Sequence, residues 1–351
     1  MLESLGNFLN ALIHLILSLF QRKPAPTPPE PPSKPAEPPA GPALPPDNLT
    51  EPALPTPVNV LLIVFNPIMQ NGQSLSEFMG WYHPNQLIAG FLDDLQECSY
   101  GLAAYRIVQR VDLEEFTILV DGFRYTPQTY LDVLQKTAPP HSPSLADYGQ
   151  ILSRFNVLDR VARREIDEVW IMAFPYAGFY ESVMGGAGAF WCNGPVLQGT
   201  ESCPRRFVVM GFSYERYVGE MLEAFGHRAE SILTKTFERL SGEANLWQRF
   251  TRYDKIAPGK AACGTIHFAP NSERDYDWNN PRLVPSECYD WLLNFPVFRG
   301  DVRLVNADEW GDGNLRLHHT WWLKHLPHAP GRKNGIHHNW WKYVLDPNAV
   351  V

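Results

Sequence analysis

The sequence predicts an α/β fold: three layers built on a mainly parallel sheet, with an aromatic-rich, irregular C-terminal third. Three observations predict it. Apolar runs of six to eight residues, the pattern of strands covered on both faces, recur at 58–65, 169–174 and 207–212. Segments of helical periodicity alternate with them, an order that favours a layered parallel sheet over a sandwich or a bundle. Periodicity then fades in the last third, where seven tryptophans lie between Trp278 and Trp341 and six histidines between His318 and His338.

Residues 1–23 come first. At 100° per residue Glu3, Ser4, Asn7, Asn10, His14 and Ser18 share an arc of about 120°, opposite Leu2, Leu5, Phe8, Leu9, Leu12 and Ile16. The segment reads as an amphipathic helix. Its first charge is Glu3, and Arg22-Lys23 follow the apolar stretch, the reverse of an ordinary secretory signal. Three readings stand: an interfacial anchor on a membrane surface, an oligomerising helix, or an atypical signal. The anchor is preferred. Residues 24–57 hold fifteen of the 32 prolines and no aromatic side chain, so they read as a linker that spans up to about 100 Å at about 3.1 Å per residue.

The remaining 294 residues, 58–351, read as the globular α/β domain. Residues 58–65 form the first buried strand, closed by Asn66-Pro67. A helix over 86–98 follows, then strands over 104–111 and 116–120, the latter ending at Asp121-Gly122. A helix over 148–165 leads into the strand 169–174. The strand 207–212 is followed by an amphipathic helix over 214–237, and beyond 278 the expectation is short strands and long ordered loops.

Composition excludes several classes. Apolar residues make up 44%, which rules out a wholly disordered chain, and no run of eighteen apolar residues predicts a multi-pass membrane protein. A net charge of −8 without a Lys/Arg stripe argues against a nucleic-acid partner. Five cysteines form no CxxC pair. Cys192 and Cys203 bound a Gly/Pro-containing excursion and are expected to close a disulfide if the compartment is oxidising; buried free thiols are the other reading.

In an open α/β sheet, ligands bind beyond the carboxyl ends of the strands. The polar residues that follow the apolar runs are therefore the catalytic candidates: Asp121, Glu181 and Glu215, each able to act as a general acid or base. Taken singly, each is also explained as a turn or a helix-capping residue. Glu181 stands out because a segment with three glycines follows it, which lets backbone approach a ligand closely.

A second constellation lies in GEMLEAFGHRAES. On a helix, Glu220, Glu223, His227 and Glu230 share an arc of about 80°. His227 and Glu230, with His267 from the later TIHF segment, make a two-histidine, one-carboxylate set suited to zinc or iron. A solvated acidic face is the plainer reading of the same stripe. The adjacent pairs His318-His319 and His337-His338 would point to opposite faces if they lay on strands, which disfavours a metal role.

These residues point to a surface-associated or secreted hydrolase that acts on an extracellular polymer or peptide, with a polysaccharide or peptide as ligand and a divalent metal such as zinc as the expected cofactor. The alternative is a non-catalytic carbohydrate-binding or adhesion domain that uses the tryptophans and is displayed on a proline-rich stalk.

Overall fold

The computed structural model describes residues 56–351. The expected anchor helix, 1–23, and the linker up to residue 55 lie outside the described residues. The first strand begins at Thr56, so the last two positions assigned to the linker belong to the sheet.

The elements follow in chain order as β1 (Thr56–Phe65), α1 (Leu75–Met79), α2 (Pro84–Cys98), β2 (Ala103–Leu113), α3 (Pro127–Leu134), α4 (Tyr148–Arg154), α5 (Val157–Ala162), β3 (Glu168–Ala173), β4 (Ser182–Gly185), β5 (Phe207–Ser213) and α6 (Val218–Phe237). Shorter pieces complete the chain: α7 (Leu246–Phe250), β6 (Val284–Ser286), α8 (Cys288–Asn294), β7 (Arg303–Val305), α9 (Leu315–Lys324), β8 (His328–Lys333), β9 (Ile336–Asn339) and α10 (Trp341–Leu345). Among the described residues, no helix is long and apolar enough to cross a membrane.

The fold is α/β, on a mixed and mostly parallel sheet of order β2-β1-β3-β5-β4. β1 pairs in parallel with both β2 and β3, β3 pairs in parallel with β5, and only β4 runs antiparallel, against β5. β1 is buried from Val60 to Phe65 and β3 along its whole length, which explains why both read as unbroken apolar runs. β2 lies at the edge. Its Arg106, Arg110 and Asp112 therefore alternate with less polar residues.

Three elements differ from the sequence-based expectation. Residues 116–120 do not form a strand; Ile118 and Leu119 make single bridges to Arg124 and Ala146. The helix expected over 148–165 breaks into α4 and α5 because Asn156 adopts the left-handed conformation, with φ 52°. His318 and His319 lie on the helix α9, not on a strand. Adjacent residues on a helix stand 100° apart, so both imidazoles are buried on one side.

The twenty-residue helix α6 organises the core. Its Arg228 is fully buried and bonds Glu168 at the start of β3, with Nη1 donating to Oε2 over 2.7 Å and Nη2 to Oε1. Nη2 also donates to the Val344 carbonyl at 2.7 Å, while Trp170 Nε1 donates to Glu168 Oε2 at 3.0 Å. This pair fixes the rotation of α6 against the sheet, which in turn fixes where the neighbouring His227 points. Two glycines admit close neighbours. A Cβ on Gly226 would stand 2.4 Å from Ile266 Cδ1, and one on Gly219 would stand 2.2 Å from Leu315 Cδ2. Only glycine lets the 261–269 segment and α9 settle this close to the helix.

The cysteines depart from one expectation. Cys98, Cys192, Cys203, Cys263 and Cys288 are all free and buried. Cys192 Sγ lies 3.8 Å from Ser182 Oγ, whereas Cys203 Sγ donates to the Arg205 carbonyl at 3.3 Å. The two thiols thus face different partners, and no disulfide joins them. Burial pushes the Cys192 thiol up to about 11, which leaves it a poor nucleophile.

Candidate metal centre and adjoining cleft

The polar stripe of α6 faces protein. The segment from Thr265 to Trp278 covers it, leaving Glu223 only 7% exposed. Trp278 Nε1 donates to the His267 carbonyl at 3.1 Å, and the Ile266 backbone N–H donates to Glu230 Oε1 at 3.0 Å, so this cover is bonded both to itself and to the helix.

Three side chains converge under the cover: Glu223, His227 and His267. His227 Nε2 and His267 Nε2 are 3.0 Å apart, His267 Nε2 is 3.0 Å from Glu223 Oε1, and His227 Nε2 is 3.9 Å from the same oxygen. Ligands bound to zinc at roughly 2.0–2.1 Å in a tetrahedron stand about 3.3 Å from one another. The three observed separations bracket that value. The Tyr276 hydroxyl completes the group, 2.7 Å from Glu223 Oε1 and 3.0 Å from His267 Nε2.

Carboxylates stand behind both imidazoles. His227 Nδ1 is 3.0 Å from Glu230 Oε2, and His267 Nδ1 makes a 3.0 Å ion-pair contact with Asp275 Oδ1. With a proton on each Nδ1 the two Nε2 lone pairs face one another, and either a metal cation or a second proton on His267 fills the space between them. Carboxylate–imidazole pairs of this form orient metal ligands and raise their basicity.

The electrostatics agree with a site that demands positive charge. Burial works against a charged His267, but hydrogen bonds with Asp275 and Glu223 outweigh it and push its pKa up to about 10. His227 is also raised: burial opposes the charge and the Glu230 carboxylate overcomes it. Burial would raise Glu223, yet its bonds with His267 and Tyr276 and the nearby His319 imidazole hold it far below the ordinary carboxylate range.

Two further histidines stand behind Glu223. His319 is fully buried, its Nε2 lies 4.0 Å from Glu223 Oε2, and that nitrogen has no hydrogen-bond partner. His318 stacks on Trp278 at 4.6 Å, and its Nδ1 is 3.1 Å from His319 Nδ1.

A cleft of about 290 Å³ opens at the carboxyl ends of β3 and β5. Its lining includes Phe174, Tyr176, Glu181, Ser213, Glu215 and Glu220. Glu181, on the cleft wall, is joined to α6 by a chain of hydrogen bonds. It is held in place: Asn193 Nδ2 donates to Glu181 Oε2 at 2.7 Å, the Asn193 N–H donates to Ser231 Oγ at 3.0 Å, and Ser231 Oγ donates to the His227 carbonyl at 3.0 Å.

The six residues singled out from the sequence separate as follows. His227 and His267 meet. Glu230 sits behind His227 at Nδ1, so the carboxylate in line with both Nε2 atoms is Glu223. Glu181 and Glu215 line the same cleft, Glu215 exposed at its mouth. Asp121 is not part of that lining. It caps a turn, accepting from the Phe123 N–H at 3.1 Å and contacting His141 Nε2 at 2.7 Å.

Glu223, Asp275, Tyr276 and His319 escaped the sequence-based selection of metal residues. For Glu223 a signal existed, because it precedes His227 by one helical turn as surely as Glu230 follows it. Side chains on a helix lean toward its N-terminus, which carries the far nitrogen of His227 toward Glu223 and leaves the near one by Glu230.

Six of the seven tryptophans between Trp278 and Trp341 are buried, Trp321 alone being partly exposed, so these rings fill volume. Comparison with protein-family models, with curated proteins and with solved structures returned no match to this chain.

Proposed function

We propose that this chain is a metal-dependent hydrolase whose cation is held by His227, His267 and Glu223, with Glu181 as the base that activates the attacking water. The observation that carries the proposal is the pair of imidazole Nε2 atoms 3.0 Å apart, each with a carboxylate at its Nδ1. Two histidines and one glutamate are a donor set for hydrolytic zinc, which acidifies bound water and polarises a carbonyl. Glu181 supports the assignment because it lines the cleft and is joined to the His227 carbonyl through Asn193 and Ser231. Glu215, at the cleft mouth, contacts substrate rather than the reacting atoms.

In this reading the substrate is an extracellular polysaccharide or peptide, reached from a cell surface or after secretion. The amphipathic segment 1–23 holds the chain at a membrane surface and the proline-rich linker gives the domain its reach. The sheet forms the central layer of three, as the burial of every β3 residue suggests, and the C-terminal third packs its aromatic side chains as an irregular flank.

Calorimetric titration of the chelated full-length chain with zinc tests the reading, alongside a panel of peptides and polysaccharides. The expected result is one zinc per chain, with turnover of at least one polymer class that chelation abolishes and zinc restores. A wild-type chain that binds no stoichiometric zinc or iron would refute the metal site. Binding that survives unchanged in His267→Ala would refute the ligand assignment.

A further inference from the structure

The Tyr276 phenol points at the same centre as the two imidazoles. Its hydroxyl donates to Glu223 Oε1 at 2.7 Å and lies 3.0 Å from His267 Nε2. Both of those atoms are ligands in the metal reading, so a cation held by the three side chains has the phenol oxygen at its fourth corner.

Exposure indicates that this corner can empty. Tyr276 is 47% exposed, so its ring has solvent to swing into, unlike the buried Glu223. The residues around it are anchored. Asp277 Oδ2 accepts from the Glu273 N–H at 3.0 Å and from Asn280 Nδ2 at 2.8 Å, and Trp278 bonds the His267 carbonyl. The loop therefore holds its backbone, and departure of the Tyr276 side chain breaks its ring contacts with His267 at 4.4 Å and Trp278 at 5.0 Å.

We infer that Tyr276 is a displaceable fourth ligand, closing the metal site at rest and departing when water and substrate enter from the cleft. The inference rests on the metal reading above and adds a gate to it. Proton balance is simple. Ligation releases the phenol proton to solvent. When water displaces the phenolate, one water proton passes to the departing oxygen, which leaves hydroxide at the site and neutral tyrosine outside it.

Copper(II) loaded into the full-length chain supplies a readout independent of turnover, because a phenolate bound to copper(II) absorbs visible light by charge transfer. The expected result is one copper per wild-type chain with this band. Tyr276→Phe should keep the copper and lose the band. Tyr253→Phe should retain both, since it removes a neighbouring phenol that stacks on Phe268. Added azide should bleach the wild-type band by taking the fourth position. Copper bound without the band, or a band that persists in Tyr276→Phe, would overturn the gate and leave the three-ligand site standing. A wild-type chain that binds no copper would overturn both.

Discussion

Glu168 and Arg228 offer a test of how the fold positions the site. Changing Glu168 to Gln preserves shape but removes the countercharge of a guanidinium that is 0% exposed. The amide oxygen can accept from one of the two nitrogens that now bond Oε1 and Oε2, while its NH₂ group faces the other donor. Breaking one side of a buried pair costs about 3–5 kcal/mol, because the remaining charge stays buried and uncompensated. Glu168→Leu should cost as much or more, since Trp170 Nε1 also loses its acceptor. In Glu168→Leu/Arg228→Met no charge is left. What remains is the orphaned Trp170 N–H, the orphaned Tyr105 hydroxyl and the orphaned Val344 carbonyl, at about 1–3 kcal/mol each. The double variant should therefore be less destabilised than the sum of Glu168→Leu and Arg228→Met taken singly, by about 2 kcal/mol at the midpoints of these ranges. Guanidinium chloride unfolding of the wild type, these two single variants and the double variant, all metal-free, measures each free energy. If the single effects add to the double within error, the pair is not coupled and α6 is not held by it.

Three further outcomes follow from the same geometry. Glu223→Gln should weaken zinc binding by more than Glu230→Gln, whose loss of an outer hydrogen bond should cost about 10–100-fold; calorimetry that ranks them the other way would restore Glu230 as the ligand. Gly226→Ala should destabilise the chain by about 1–3 kcal/mol and weaken zinc binding, because the new Cβ meets the buried Ile266 side chain at 2.4 Å and this overpacking exceeds the helix-propensity gain of about 1 kcal/mol. Wild-type stability in thermal melts would contradict that. For His325, burial lowers the pKa from 6.5 to about 4, against the bond of Nδ1 to the Trp321 carbonyl. Between those values the unfolded chain binds more protons, so this contribution to stability is present above pH 6.5 and is lost as the pH falls through 4. His325→Gln should flatten the acid limb of a stability–pH profile; an identical profile would show that His325 does not contribute to it.

The parts of the fold that could be read from the chain were those where one local pattern decides the outcome. β1, β3 and β5 are apolar on both faces, and no other element accommodates such short runs in an α/β protein. The 116–120 segment has the same apolar look, but its ends make only single bridges, so pairing rather than composition decided against it. β4 was hidden because Ser182 to Gly185 is too short to show alternation. The site was legible by half for a related reason. His227 and His267 stand out as residue types, whereas the choice between Glu223 and Glu230 depends on how the imidazole tilts. Tyr276 enters through a loop with no periodicity. The surroundings of His319 were hidden because adjacent histidines were weighed on a strand, whereas α9 turns both inward.

The long helix α6 has interior surroundings on two sides, with Arg228 bound to the sheet and His227 turned toward the Thr265–Trp278 cover. Inserting or deleting a single residue between Gly219 and Arg228 would rotate one part of the helix against the other by 100° and shift it by 1.5 Å. No side-chain substitution could restore the ion pair, the glycine contacts and the histidine meeting point together. The spacing from Gly219 to Glu230 therefore behaves as a fixed ruler that cannot absorb a change in length.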